Sequence, residues 1–166
     1  MDEDDFLRSH TERIAHANNR YLTPQLFQKW KAEPVPEFAK LPPELKGVAR
    51  AGFEKRKQFV GMCARAGVRI LAGTGGAGLG ALVPGFGLHR ELQLLVQSGL
   101  TPLQSLQTDT INAAQALGKE HERGIIDQGS LADMVVIEGN PLADISNASR
   151  ISLIVKDGTL YRSQIC

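Results

Sequence analysis

The residues best placed to do chemistry in this chain are a glycine run, Gly73-Thr74-Gly75-Gly76-Ala77-Gly78, and a histidine that follows it, His89. The run has the G-x-G-x-x-G form that lets a backbone approach a dinucleotide pyrophosphate. That use requires a helix to begin at the loop, so that its free amides meet the anion. Here Pro84 and Gly85 intervene before the next helical pattern, and no acidic residue closes a second strand. A phosphate- or nucleotide-binding module using Gly73 to Gly78 is therefore an alternative reading, and a Walker loop is excluded because no Gly-Lys-Ser/Thr follows. His89 stands two residues before Glu91, a pair that suits acid–base work or ligand contact. The same pair also suits a plain helix start, with Glu91 favoured by the helix dipole. His10, His16 and His121 stand singly, and Cys63 and Cys166 lie far apart. No H-x-H, H-E-x-x-H or Cys/His cluster is present, so spacing alone identifies no metal site. Nor is there a G-x-S-x-G nucleophile elbow.

The elements that must hold these residues follow from pattern. Val68 to Ala72 is a short apolar run of the kind expected for a buried strand. After Gly85, Leu88, Leu92, Leu95 and Val96 fall on one helical face. Strand, glycine loop and helix form the unit in which α/β proteins place ligands, at the carboxyl end of the strand. Upstream, Phe6, His10, Ile14 and Ala17 have helical spacing, and Thr23-Pro24 offers an N-cap and a first-turn proline for a helix bearing Leu26, Phe27 and Trp30. Residues 32–44, rich in proline, read as an extended connection. A long helix is expected from Pro43 to Ala66, with Leu45, Val48, Phe59, Met62 and Cys63 as its buried stripe, Lys55-Arg56-Lys57 on its wet side, and Gly67 as its C-cap.

Downstream, Thr101-Pro102-Leu103-Gln104 forms a capping box for a helix that buries Leu103, Leu106, Thr110, Ala113 and Leu117 before Gly118 stops it. The period then shifts towards two. Ile125-Ile126, Leu131 to Ile137, Ile151 to Val155 and Thr159 to Tyr161 read as strands, and Asp157-Gly158 as a hairpin turn.

Composition narrows the classes. The chain has 166 residues, 42% hydrophobic and 22% charged, with a formal net charge of +1. That is ordinary for one globular domain or a piece of a larger one. The small charge and the 5% aromatic content argue against a nucleic-acid partner. No apolar run has the length of a membrane span, the acidic start MDEDDF is unlike a secretory leader, and two distant cysteines fit free thiols, so the cytoplasm is the expected compartment.

Residues 67–95, the stretch LTPLQSLQTDTINAAQALG, the stretch RGIIDQGSLADMVVIEGNPLADI and ISLIVKDGTLY together resemble the carboxyl-terminal part of amidohydrolase-superfamily enzymes. The likeness is to the imidazolonepropionase-like and Xaa-Pro-dipeptidase-like metal-dependent hydrolases. It implies an α/β chain: the last βα units of a TIM-like (β/α)8 barrel over residues 1–120, then strands of the family's composite β-sandwich over 121–166. The barrel in this chain is expected to be incomplete. Asp133 is expected to be structural.

In the family a divalent metal such as zinc activates water to attack an amide or related C–N bond, and an aspartate on the eighth strand relays the proton. That aspartate lies in a Gly-Thr-Asp segment that Gly73-Thr74-Gly75 resembles, so its position is Gly75, which has no side chain. The remaining family ligands would precede Met1. The resemblance therefore implies no catalytic residue, metal ligand or cofactor within this chain, and leaves His89, bordering the pocket, as the one candidate for contact with an amide or dipeptide-like substrate. It implies inactivity for the isolated chain. Two further readings remain open: a barrel-completing subunit that needs a partner chain or a homo-oligomer, and the phosphate-binding module.

Overall fold

The computed structural model describes residues 22–32, 42–75 and 85–162, leaving aside the Trp30 side chain. The expected helix over 4–18, His10, His16, Gly76 to Gly78 and Cys166 lie outside those residues, as does most of the proline-rich connection.

Helices α1 (Pro24–Ala32) and α2 (Pro43–Arg65) come first. Thr23 Oγ1 accepts from the Leu26 amide at 3.3 Å, the expected N-cap of α1. Helix α2 ends as its sequence requires. Gly67 adopts φ +78°, which only glycine adopts without strain, and the Val68 amide reaches back to the Cys63 carbonyl at 3.0 Å. Then come α3 (Phe86–Gln97), α4 (Pro102–Asp109) and α5 (Ile111–Ala116). The capping box of α4 forms in full, with Thr101 Oγ1 accepting from the Gln104 amide and the Gln104 side chain accepting from the Thr101 amide.

The sequence predicts one helix over 102–117, but two are present. Thr110 breaks it with φ −118° and ψ −99°, and its hydroxyl donates to the Leu106 carbonyl at 2.8 Å, a local bond that competes with helix continuation. The buried face also differs from expectation. Leu103 and Leu117 are exposed, while Ser105 and Thr108 are the residues fully enclosed. Their hydroxyls satisfy themselves locally: Ser105 Oγ donates to the Leu92 carbonyl at 2.8 Å and Thr108 Oγ1 to the Ser105 carbonyl at 2.6 Å.

The tail is a three-stranded antiparallel sheet in the order β1 (Met134–Ile137), β2 (Ile151–Lys156), β3 (Thr159–Arg162). Val135, Ile154 and Tyr161 lie opposite one another across the three strands, and the register shifts between Val136 and Ile137. The Asp157-Gly158 turn has φ of 49° and 75°, both positive as the tight hairpin requires. Of the expected strands, Leu131 to Asp133 stays outside the sheet and Ile125-Ile126 is not a strand. Ile126 is exposed and the backbone around it turns, so it has no ladder to join. A 3-10 helix (Ile145–Ser149), capped by Asp144, links β1 to β2, and its Ile145 and Ala148 pack with Leu92 of α3. This cluster, with Ala72, Val96 and Leu106 against it, joins the tail to the helices.

Two expectations fail for one reason. Val68 to Ala72 is extended but joins no sheet among the described residues, and Leu45, Val48, Phe59 and Met62 of α2 face outward, 48% to 67% exposed. Strand and apolar stripe both need a neighbouring layer, and none of the described residues supplies one. The residue of α2 that is buried is Gly61, lying against the Ser98 carbonyl, where the missing side chain lets α2 and α3 approach.

Candidate functional site

The candidate site lies where the extended segment ends and α3 begins. The helices hold that segment in place of a strand ladder. The Ala72 amide donates to the Thr108 carbonyl at 3.2 Å, and Asn112 Nδ2 donates to the Ile70 carbonyl at 3.0 Å across 42 residues of sequence. Ala72 packs against the cluster containing Leu92. His89 sits one turn before Leu92, on the same side of α3. Thus Ala72, which leads into Gly73, meets the cluster that contains Leu92, one turn beyond His89.

Gly85, with φ +86°, turns the chain into α3 without a side-chain cap, and the helix begins at Phe86. His89 is half-buried in the first turn, and burial pulls its pKa below the usual histidine value, so the ring is neutral at pH 7. Its Nδ1 is enclosed and has no hydrogen-bond partner. The His89 and Glu91 pair is not brought together, since residues two apart on a helix point to different faces. Arg90, between them, donates from Nη1 to Gln93 Oε1 at 2.7 Å.

The residues do not fit the metal that the sequence resemblance implies. Gly75 is exposed, has φ +60° and offers only backbone atoms. Among the described residues, no group of three His, Cys, Asp or Glu is arranged to hold a metal ion. A cleft of about 360 Å³ exists, but Glu54, Lys57, Arg65, Gln97 and Ser98 line it, at the opposite end of α3 from His89.

Asp133, expected to be structural, is bound as a clip. Its carboxylate accepts from Lys156 Nζ at 2.9 and 3.0 Å and from the Asp157 amide at 2.9 Å, with Arg123 at 3.7 Å. The backbone amide of Asp157, then the Lys156 ammonium, hold its pKa below the usual aspartate value. Sequence reasoning missed the roles of Asn112, Ser105 and Thr108. Polar residues inside an apolar helical pattern were the available signal.

Comparison with known proteins finds relatives over large parts of the chain. The model of the amidohydrolase family matches residues 13–161. An adenine deaminase of Clostridium botulinum (strain Loch Maree / Type A3) is 39% identical over 79 residues, which is 46% of this chain and 13% of that protein. An ochratoxinase of Aspergillus niger is 33% identical over 103 residues, 59% of this chain and 20% of that protein. The chain thus spans a fifth or less of these curated relatives. Among solved structures, a Xaa-Pro dipeptidase with bound methionine superposes with a TM-score of 0.62 and 26% identity over 90% of this chain and 33% of its own. Molinate hydrolase gives 0.55 and 31% over 61% of this chain and 25% of its own. The helices and small sheet are consistent with part of such a barrel. No helix among the described residues is long and apolar enough to cross a membrane.

Proposed function

The chain belongs to the amidohydrolase family, and on that premise we propose that it is the carboxyl-terminal barrel and β-sandwich segment of a C–N bond hydrolase scaffold that has no metal-dependent turnover of its own. The observation that carries this reading is Gly75. It stands where the family's metal-binding aspartate is expected, at the end of a segment that Thr108 and Asn112 hold in place. A backbone carbonyl can ligate a cation, but it cannot relay a proton from an attacking water. His89 is the residue of this segment that would meet a substrate. Its Nδ1 is enclosed, so the other ring nitrogen, Nε2, is the atom that would exchange a hydrogen bond with an amide or dipeptide-like molecule. The names of the relatives, a deaminase and a dipeptidase among them, support the hydrolase ancestry.

The test is zinc content and amide hydrolysis of the purified chain and of Gly75→Asp, with N-acyl amino acids and dipeptides as substrates. Neither protein is expected to retain stoichiometric zinc after desalting or to hydrolyse these substrates above a heat-inactivated control. Stoichiometric zinc together with hydrolysis by the unmodified chain would overturn the reading.

A further inference from the structure

The hairpin turn joins two residues that have a chemistry of their own. Asp157-Gly158 is the one Asp-Gly pair in the chain, and no Asn-Gly pair occurs. In such a pair the glycine nitrogen can close a five-membered ring on the aspartate Cγ, because no Cβ on the glycine shields it. Asp157 is also the one non-glycine residue with positive φ among the described residues, at 49°. An L-residue held in that region carries backbone strain. The fold binds both amides of the turn to consecutive residues. The Gly158 amide donates to the Ala132 carbonyl at 3.2 Å, and the Asp157 amide to Asp133 Oδ1 at 2.9 Å. Lys156 Nζ, bound to the Asp133 carboxylate at 2.9 and 3.0 Å, also holds Asp157 Oδ1 at 3.1 Å. The holding segment is itself tied down, with the Leu131 amide on the Glu122 carbonyl at 2.9 Å.

We propose that Asp157 is a site of spontaneous isoaspartate formation, and that the Asp133 clip sets its rate. The Gly158 nitrogen, having lost its proton, attacks Cγ of the protonated Asp157 carboxyl. A C–N bond forms, the C–OH bond breaks, and the departing hydroxide and that proton make water. Water then opens the resulting succinimide at one of its two carbonyls. Opening at Cγ restores aspartate. Opening at the main-chain carbonyl leaves isoaspartate, whose backbone runs through the side chain and is one carbon longer. No atom is gained or lost overall. In the closed turn the Gly158 N–H is engaged by Ala132 and the Asp157 carboxyl is tethered to Lys156, so reaction proceeds from the locally opened turn. The extra carbon releases position 157 from the left-handed region and lengthens the connection between β2 and β3. A carboxyl methyltransferase that reads isoaspartate is the class of enzyme that would act on the product. The proposal involves neither metal nor amide substrate, so it stands apart from the hydrolase reading.

The experiment ages the purified chain in mildly acidic buffer. Isoaspartate is quantified by enzymatic methyl transfer from labelled S-adenosylmethionine and located by peptide mapping. Label is expected in the peptide containing Asp157, together with a fraction one water lighter, the succinimide. The chain unfolded in urea should accumulate that label at least about tenfold faster than the folded chain. Asp133→Ala, under folding conditions, should be at least about fivefold faster than the unmodified chain. Thr101→Ala, which weakens α4 and leaves the clip intact, should not change the folded rate, and Asp157→Ala should abolish label in that peptide. Should Asp133→Ala fail to fold, Lys156→Met is read in its place, since it removes the tether on both carboxylates, and it should accelerate the reaction too. Absence of label in urea would overturn the proposal. So would equal rates in the folded and unfolded chain, or an acceleration by Thr101→Ala as large as that from opening the clip.

Discussion

The helical layer and the β tail of this molecule solve the same problem differently. The tail is held mainly by strand pairing and charge: a tight turn at Asp157-Gly158, a meander that pairs consecutive strands, and the Asp133 clip onto that turn. The helices depend on close approach between packed backbones. Gly61 lies against Ser98, Asn112 reaches Ile70, and Ser105 binds Leu92. The difference teaches where each region is vulnerable. A side chain too large by a single carbon should damage the helical layer, whereas the tail should respond chiefly to loss of charge or turn geometry.

The largest effect should therefore come from Gly61→Val. Its added carbons overlap the Ser98 backbone carbonyl, and neither helix can yield without parting from the other. A loss of about 3 kcal/mol is expected, read from urea unfolding midpoints. The same substitution at Gly52, where nothing lies within 4 Å, should cost far less in the single chain and so isolates overlap from helix propensity.

Next, Asn112→Ala removes the side-chain amide that bridges α5 to the extended segment, leaving the Ile70 carbonyl without it, at a cost of about 1–2 kcal/mol. Amide exchange at Ala72 should quicken with it. Thr101→Ala breaks a cap that lies wholly within α4 and should cost about 1 kcal/mol. If Thr101→Ala proves more damaging than Gly61→Val, the helical layer is not governed by close packing.

Two pH experiments address the smallest effects. His89 has a lowered folded pKa, so protonation favours the unfolded chain, and stability should fall as pH drops below the unfolded histidine value of about 6.5. His89→Gln should flatten that slope in thermal melts between pH 7 and 5. Asp133 also has a lowered pKa, which gives a stabilising contribution present above the unfolded value and lost as pH falls through the folded one. Asp133→Asn should reduce the acid sensitivity of the tail below about pH 4, a change visible in amide exchange of the Asp157-Gly158 turn and absent from the helices.

Much of the local structure was legible in the sequence because its causes are local. Thr101 and Gln104 specify a capping box within four residues, Gly67 ends a helix by the one conformation it adopts cheaply, and Asp157-Gly158 sets a turn whose strands follow directly. Thr110 was less legible. Its sequence neighbours continue a helical pattern, and the break appears only with the bend that α4 and α5 make around the extended segment. At the candidate site, Gly75 and His89 could be singled out by type and position. The unpartnered Nδ1 of His89, the separation of His89 from Glu91, and the roles of Thr108 and Asn112 could not.

By itself, then, the sequence determined the caps at Thr23, Gly67 and Thr101, the Asp157-Gly158 turn, the family to which the chain belongs, and the absence of a side chain at position 75. It could not say which apolar stripe would be covered. The pattern of Leu45, Val48, Phe59 and Met62 is as amphipathic as that of Leu92 and Leu95, yet one faces out and the other is buried. Periodicity specifies that a helix has an apolar face, whereas burial requires another surface to meet it. For α3 the 3-10 helix and α4 supply that surface, and for α2 the described chain supplies only the narrow contact at Gly61.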